Sequence, residues 1–65
     1  MKIVTIRMPA KLIEVLDYVA KKHGISRSEV MRDFLIFALH SYARADGDEE
    51  LKKKLRFLKP FFLEL

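Results

Sequence analysis

The chain has 65 residues, 51% of them hydrophobic and 34% charged, and it contains no cysteine. A single domain of this size has little core to offset the chain entropy lost on folding, and such domains usually gain stability from disulfides, a metal or a partner subunit. The lack of cysteine excludes disulfides and thiolate zinc sites, so association of subunits is the expected source of stability.

The formal net charge of +4 resides in residues 1–45, whereas residues 46–65 sum to zero. A basic N-terminal module favours a polyanionic partner such as nucleic acid. The sequence has no apolar run long enough for a transmembrane helix and no signal-peptide pattern at its start, so we expect a cytoplasmic protein without a membrane partner.

Residues 2–8, K-I-V-T-I-R-M, are rich in β-branched side chains and predict a β-strand. Alternation along such a strand assigns Val4, Ile6 and Met8 to one face and Ile3, Thr5 and Arg7 to the other. Pro9 follows at once, and because proline disfavours helix before it and suits the first helical turn, the strand should lead directly into a helix.

Two helices are predicted next. The apolar residues between Ala10 and His23 recur at helical spacing, and Gly24 is suited to the left-handed conformation that ends a helix. The sequence S-R-S-E from Ser26 to Glu29 is a capping box, in which the serine accepts from the Glu29 amide and the glutamate reaches back to the serine amide. The second helix should run from this box to about Ala43.

The second helix is apolar over an arc of about 200°, about twice the stripe that a one-sided surface helix needs. The residues on this arc are Val30, Met31, Phe34, Leu35, Phe37, Ala38, Leu39 and Tyr42. Such a helix needs two packing partners. The first helix supplies one, and the same helix of a second subunit is the simplest candidate for the other.

The chain divides into a module at 1–45 and a C-terminal part at 46–65. Residues 46–48 predict a turn, and a short third helix should start at Glu49 and present Leu51, Leu55 and Leu58 as its apolar positions. Pro60 should end this helix. The last residues, P-F-F-L-E-L, are too apolar for a free tail and are expected to dock on their own dimer or on another protein.

A lone strand must satisfy its backbone N–H and C=O groups with water or with another chain. Antiparallel pairing with its own copy across a two-fold axis would satisfy them and would turn Ile3, Thr5 and Arg7 outward. The resulting two-stranded ribbon has a width that the major groove of DNA admits.

The order strand, Pro9, amphipathic helix, Gly24-Ile25-Ser26-Arg27-Ser28-Glu29 and long apolar helix resembles ribbon-helix-helix repressors of the Arc, MetJ and CopG type. The resemblance covers residues 2 to about 44, and its most specific part is the G-I-S-R-S-E turn. It implies a mostly α fold with one short N-terminal strand, an intertwined homodimer with a two-stranded antiparallel ribbon, and here an extra short C-terminal helix.

In function, the resemblance implies a repressor that binds a pseudo-palindromic double-stranded operator as a homodimer, with two dimers side by side on DNA as a further option. Matched by position, base reading falls on Ile3, Thr5 and Arg7, and phosphate binding on Ser26, Arg27 and Ser28. Arginine can donate to guanine O6 and N7, and threonine can donate, accept or contact a thymine methyl, but isoleucine at position 3 is a departure that offers apolar contact alone.

Several alternatives stay open. Thr5 and Arg7 also suit the solvated face of an edge strand, and Lys52, Lys53 and Lys54 suit a solvated helix face paired with Glu49 and Glu50 as well as a phosphate-binding patch.

The sequence carries no catalytic motif and no metal-ligand spacing, since the two histidines are far apart, so we expect neither an enzyme nor a cofactor. The alternative function is an antitoxin, which would regulate its own operon through the same module and bind a toxin with residues 46–65.

Overall fold

The computed structural model describes residues 2–63, in which three helices follow one another: α1 (Ala10–His23), α2 (Arg27–Asp46) and α3 (Glu49–Lys54). Helix α1 has the bounds that its apolar spacing predicts. The carbonyl of Pro9 accepts from the backbone N–H groups of Leu12 and Ile13 at 3.0 and 3.2 Å, which ties the proline to the first turn.

The turn between α1 and α2 combines a glycine C-cap with a serine N-cap. Gly24 has a φ of 65°, in the left-handed region that favours glycine, and the Ile25 N–H donates to the Ala20 carbonyl at 3.0 Å. The Glu29 N–H donates to Ser26 Oγ at 3.1 Å as predicted, but the Glu29 carboxylate accepts from the Ser26 hydroxyl, at 3.2 Å, rather than from the serine amide.

Helix α2 runs past Ala43 to Asp46, because no proline or glycine interrupts the sequence before Gly47 (φ 69°). Helix α3 is capped by Asp48, whose carboxylate accepts from the Leu51 N–H at 3.0 Å. It ends at Lys54, well before Pro60, so the predicted end of the third helix was wrong.

The core lies between α1, α2 and the C-terminal tail, which is the irregular segment at residues 55–63. Its buried residues are Leu16, Ala20 and Val30, and the partly buried residues packed against them are Met8, Val19, Ile25, Met31 and Phe62. Outside this core, Ala43 of α2 and Leu55 at the end of α3 are also buried, with 0% and 3% exposure.

The predicted N-terminal strand, and with it the two-stranded ribbon, is absent from residues 2–63, which form helices and irregular segments alone. The predicted fold class, mostly α with one strand, is therefore corrected to all-α for the described residues. A strand exists through hydrogen bonds to a neighbouring strand, and the described part of the chain offers no such neighbour. Val4 and Ile6, which the alternation assigns to the face opposite the outward one, are 74% and 53% exposed.

None of the helices in the described range is long and apolar enough to cross a membrane.

Candidate nucleic-acid interface

The N-terminal segment, residues 2–8, presents the three predicted base-reading residues to solvent. Ile3 is 97% exposed, and Thr5 and Arg7 are also exposed. Among the described residues Arg7 has no acidic partner, so its guanidinium is available to an external acceptor.

The start of α2 holds the three predicted phosphate-binding residues. The Ser26 hydroxyl is engaged with Glu29, as described above. Arg27 Nη1 lies 3.4 Å from Asp17 Oδ1 of α1, with both side chains close to half exposed. A surface pair of this kind contributes about 0–1 kcal/mol, so a phosphate could take the place of the Asp17 carboxylate at little cost.

A shallow groove of about 470 Å³ runs between the N-terminal segment and α2. It is lined by Lys2, Ile3, Val4, Ile6, Ser28, Met31, Arg32 and Leu35. The groove brings one predicted base-reading residue, Ile3, beside one predicted phosphate-binding residue, Ser28. Thr5, Arg7 and Arg27 do not line it.

A second groove, of about 410 Å³, lies between α2 and the C-terminal tail. Its lining residues are Ser26, Glu29, Arg32, Asp33, Ile36, Lys59 and Phe61. Arg32 lines both grooves, so it lies between the N-terminal segment and the C-terminal tail. The sequence pattern did not single out Arg32, Asp33 or Lys59, because Arg32 and Asp33 lie outside the apolar arc of α2, on the face where charged residues are ordinary.

Asp33 is a buried carboxylate, 3% exposed, that accepts from backbone N–H groups of the tail. Oδ1 accepts from Phe61 at 2.6 Å, and Oδ2 accepts from Phe62 at 2.6 Å and from Leu63 at 3.4 Å. Burial by itself would raise the pKa of the Asp33 carboxyl, but the backbone N–H donors of these residues and the charge on Arg32 outweigh it and hold that pKa below its ordinary value.

Both histidines contact the C-terminal tail. The His23 ring packs against the Phe62 ring with centroids 4.6 Å apart, and His40 Nε2 lies 2.5 Å from the Leu58 carbonyl oxygen.

On α3, Lys52 pairs with Glu49 at 3.3 Å, one turn apart, in place of the predicted pairs of Lys53 and Lys54. Within residues 2–63 no three histidine or acidic side chains converge as a metal site would require.

The part of the chain that holds the N-terminal segment, α1 and the start of α2 matches a known family. Residues 2–41 match the family model described as ribbon-helix-helix protein, copG family. The chain belongs to this family. The match confirms the family predicted from the sequence and spans more than half of the chain, from the N-terminal segment through α1 and most of α2.

The CopG family consists of DNA-binding regulators, of the transcription-regulator or antitoxin type, rather than enzymes, and its members usually form dimers. No curated protein and no solved structure matches the chain significantly. The family match includes Asp33 and leaves α3 and the tail outside it.

Proposed function

We propose that this CopG-family protein is a cytoplasmic transcriptional repressor that binds a pseudo-palindromic double-stranded operator as a homodimer. The observation that carries the proposal is the family match over residues 2–41, which includes the exposed N-terminal segment and the start of α2. The basic surplus of residues 1–45 supports it, because a polyanion is the partner that such a surface attracts.

Base reading is assigned to Ile3, Thr5 and Arg7 in the major groove. All three are exposed, so no protein contact has to break before they reach DNA. Arg7 carries most of the discrimination in this proposal, because a bidentate contact to guanine distinguishes bases by about 1–3 kcal/mol.

Backbone binding is assigned to Ser26, Arg27 and Ser28. The first N–H groups of a helix lack intrahelical acceptors and sit at the positive end of its dipole, so the start of the 20-residue α2 suits a phosphate. Contacts of this kind position the protein on the duplex without reading its sequence.

The homodimer is supported by apolar side chains on the far part of α2 that the single chain leaves uncovered. Leu35, Leu39 and Tyr42 are 55%, 42% and 59% exposed, and Val15 of α1 is 51% exposed. A second copy would remove this surface from water, and a two-fold dimer calls for an operator with two related half-sites.

Docking of the C-terminal tail favours the repressor over the antitoxin. A toxin-binding segment is typically free before its partner arrives, whereas Phe62 and the tail amides contact α1 and α2 of the same chain. In the absence of DNA and other proteins, residues 46–65 of a repressor should resist limited proteolysis.

The decisive experiment is fluorescence anisotropy with the DNA upstream of the coding region and with random duplex, at near-physiological salt. Wild type should prefer its own region by about 10³-fold or more, and Arg7→Ala should lose about 1–3 kcal/mol of that preference. Arg56→Ala is the matched control, because it removes the same charge from an exposed site after α3 and should keep the preference.

If Arg7→Ala binds the operator as selectively as wild type, the assignment of the reading residues is wrong. If neither duplex is bound even at low salt, the DNA-binding proposal itself is wrong.

A further inference from the structure

Residues 58–63, here called the C-terminal strap, cross α2 and reach the end of α1. His40 of α2 contacts the Leu58 carbonyl oxygen, Asp33 accepts from the amides of residues 61–63, and Phe62 packs on Phe34 with ring centroids 6.0 Å apart. These contacts span about two turns of α2, so the strap has one defined course over the helix.

Asp33 determines that course more strictly than the apolar contacts do. A buried charge is strongly unfavourable unless hydrogen bonds compensate it, and the compensating donors here are strap amides. Apolar packing tolerates sliding, whereas two carboxylate oxygens that accept from successive amides accommodate one register of the strap.

The strap carries Lys59 into the groove that Ser26 and Arg32 also line. Among residues 2–63 neither Arg32 nor Lys59 makes an ion pair. The two carboxylates of that groove are both engaged, since Glu29 accepts from Ser26 and Asp33 from the strap amides. The groove therefore presents two available cations beside the start of α2.

We propose that Lys59 binds the DNA backbone and that Asp33 is its positioning residue. By latching the strap, Asp33 holds Lys59 beside Arg32 and Ser26, so that the phosphate-binding surface extends beyond the start of α2 into the C-terminal part of the chain. This inference rests on the proposed function, because it assumes that the start of α2 faces DNA.

The test is the salt dependence of operator binding by full-length wild type, Lys59→Gln, Asp33→Asn and the double variant. Removing one cation that binds a phosphate lowers the slope of log K against log salt by about 0.9 in magnitude, so Lys59→Gln should lower it by about 2 in a dimer that carries two copies. Arg56→Gln removes the same charge from an exposed site after α3, outside both grooves, and should leave the slope unchanged.

Asp33→Asn should reproduce the slope change of Lys59→Gln although it removes no positive charge, and the double variant should show no further change. A role in stability alone would not move the slope in this way. The variants are compared at a temperature where circular dichroism shows the helical content of wild type.

A Lys59→Gln slope equal to that of wild type, in a protein for which Arg27→Gln does lower the slope, overturns this inference and leaves the proposed function standing. A full Lys59→Gln effect that persists in the Asp33→Asn background overturns the positioning role. Failure of wild type to bind any duplex is a different result, because it removes the proposed function first.

Discussion

The two ends of the described chain are both irregular and rich in apolar residues, yet the protein holds them in opposite ways. The N-terminal segment leaves Ile3 97% and Val4 74% exposed, whereas the strap places Phe62 in the core cluster and its amides on a buried carboxylate. Apolar content therefore does not decide which end docks.

The difference lies in the backbone. At the strap, Asp33 supplies acceptors for N–H groups that packing would otherwise take away from water, and an unsatisfied buried N–H costs about 1–3 kcal/mol. Among the described residues no helix side chain accepts hydrogen bonds from the backbone N–H groups of the N-terminal segment, so these groups remain exposed to water. The proposed base-reading residues stay accessible for the same reason.

Removal of the Asp33 carboxylate should have the largest effect, because it should release the strap and leave both ends of the chain undocked. Asp33→Ala should lower the free energy of unfolding by about 2–4 kcal/mol, since hydrogen bonds to a charged group contribute about 1.5–3 kcal/mol each and an undocked strap regains some of that from water. Urea denaturation at fixed protein concentration measures the change.

Asp17→Ala is the matched control, because this half-exposed carboxylate makes a surface pair worth about 0–1 kcal/mol. Equal losses for Asp33→Ala and Asp17→Ala would mean that the strap contributes nothing to the folded state.

Protonation of the same carboxyl should release the strap reversibly. Because the pKa of Asp33 is lower in the folded protein than in the unfolded chain, its contribution is complete above the unfolded value and is lost as pH falls through the folded value, below about pH 4. Hydrogen exchange at the Phe62 amide and the unfolding free energy from pH 7 to pH 2 should both report this loss.

Asp33→Asn has no such carboxyl and should lack this component of the acid response. An acid response of Asp33→Asn identical to that of wild type would assign the transition to other carboxyl groups.

Two neighbouring phenylalanines of the strap differ in packing although they are the same residue type, so their alanine variants should differ in stability. Phe62 packs against His23 and Phe34, and Phe62→Ala should cost about 2 kcal/mol, less than a fully buried phenylalanine because Phe62 keeps some exposure. Phe61 is 75% exposed, and Phe61→Ala should stay within about 0.5 kcal/mol of wild type. Denaturation of the two variants side by side checks the contrast, which a larger loss for Phe61→Ala would reverse.

Much of this arrangement could be predicted from local patterns. Apolar spacing and the Gly24 and Ser26 signals located α1 and the start of α2, because caps and periodicity act within a few residues. The strand at residues 2–8 could not be established in this way, since a strand depends on a partner that composition does not reveal.

Residues 60–65 were predicted to dock on their own dimer or on another protein; residues 61–63 contact Asp33 of the same chain, and residues 64–65 lie outside the described range. The role of Asp33 was not predicted. That role depends on hydrogen bonds to residues 28 to 30 positions away in the chain, which helical periodicity does not report.

The smallest effect should come from the N-terminal segment. Ile3→Ser and Arg7→Ala alter exposed side chains, so each should change the unfolding free energy of the DNA-free protein by about 0.5 kcal/mol or less, even though Arg7→Ala weakens operator preference. Loss of recognition without loss of stability is the behaviour of a side chain reserved for an external partner. Denaturation of both variants beside Phe62→Ala measures this, and a loss for Arg7→Ala comparable to that for Phe62→Ala would mean that the segment is held by the protein rather than kept free for DNA.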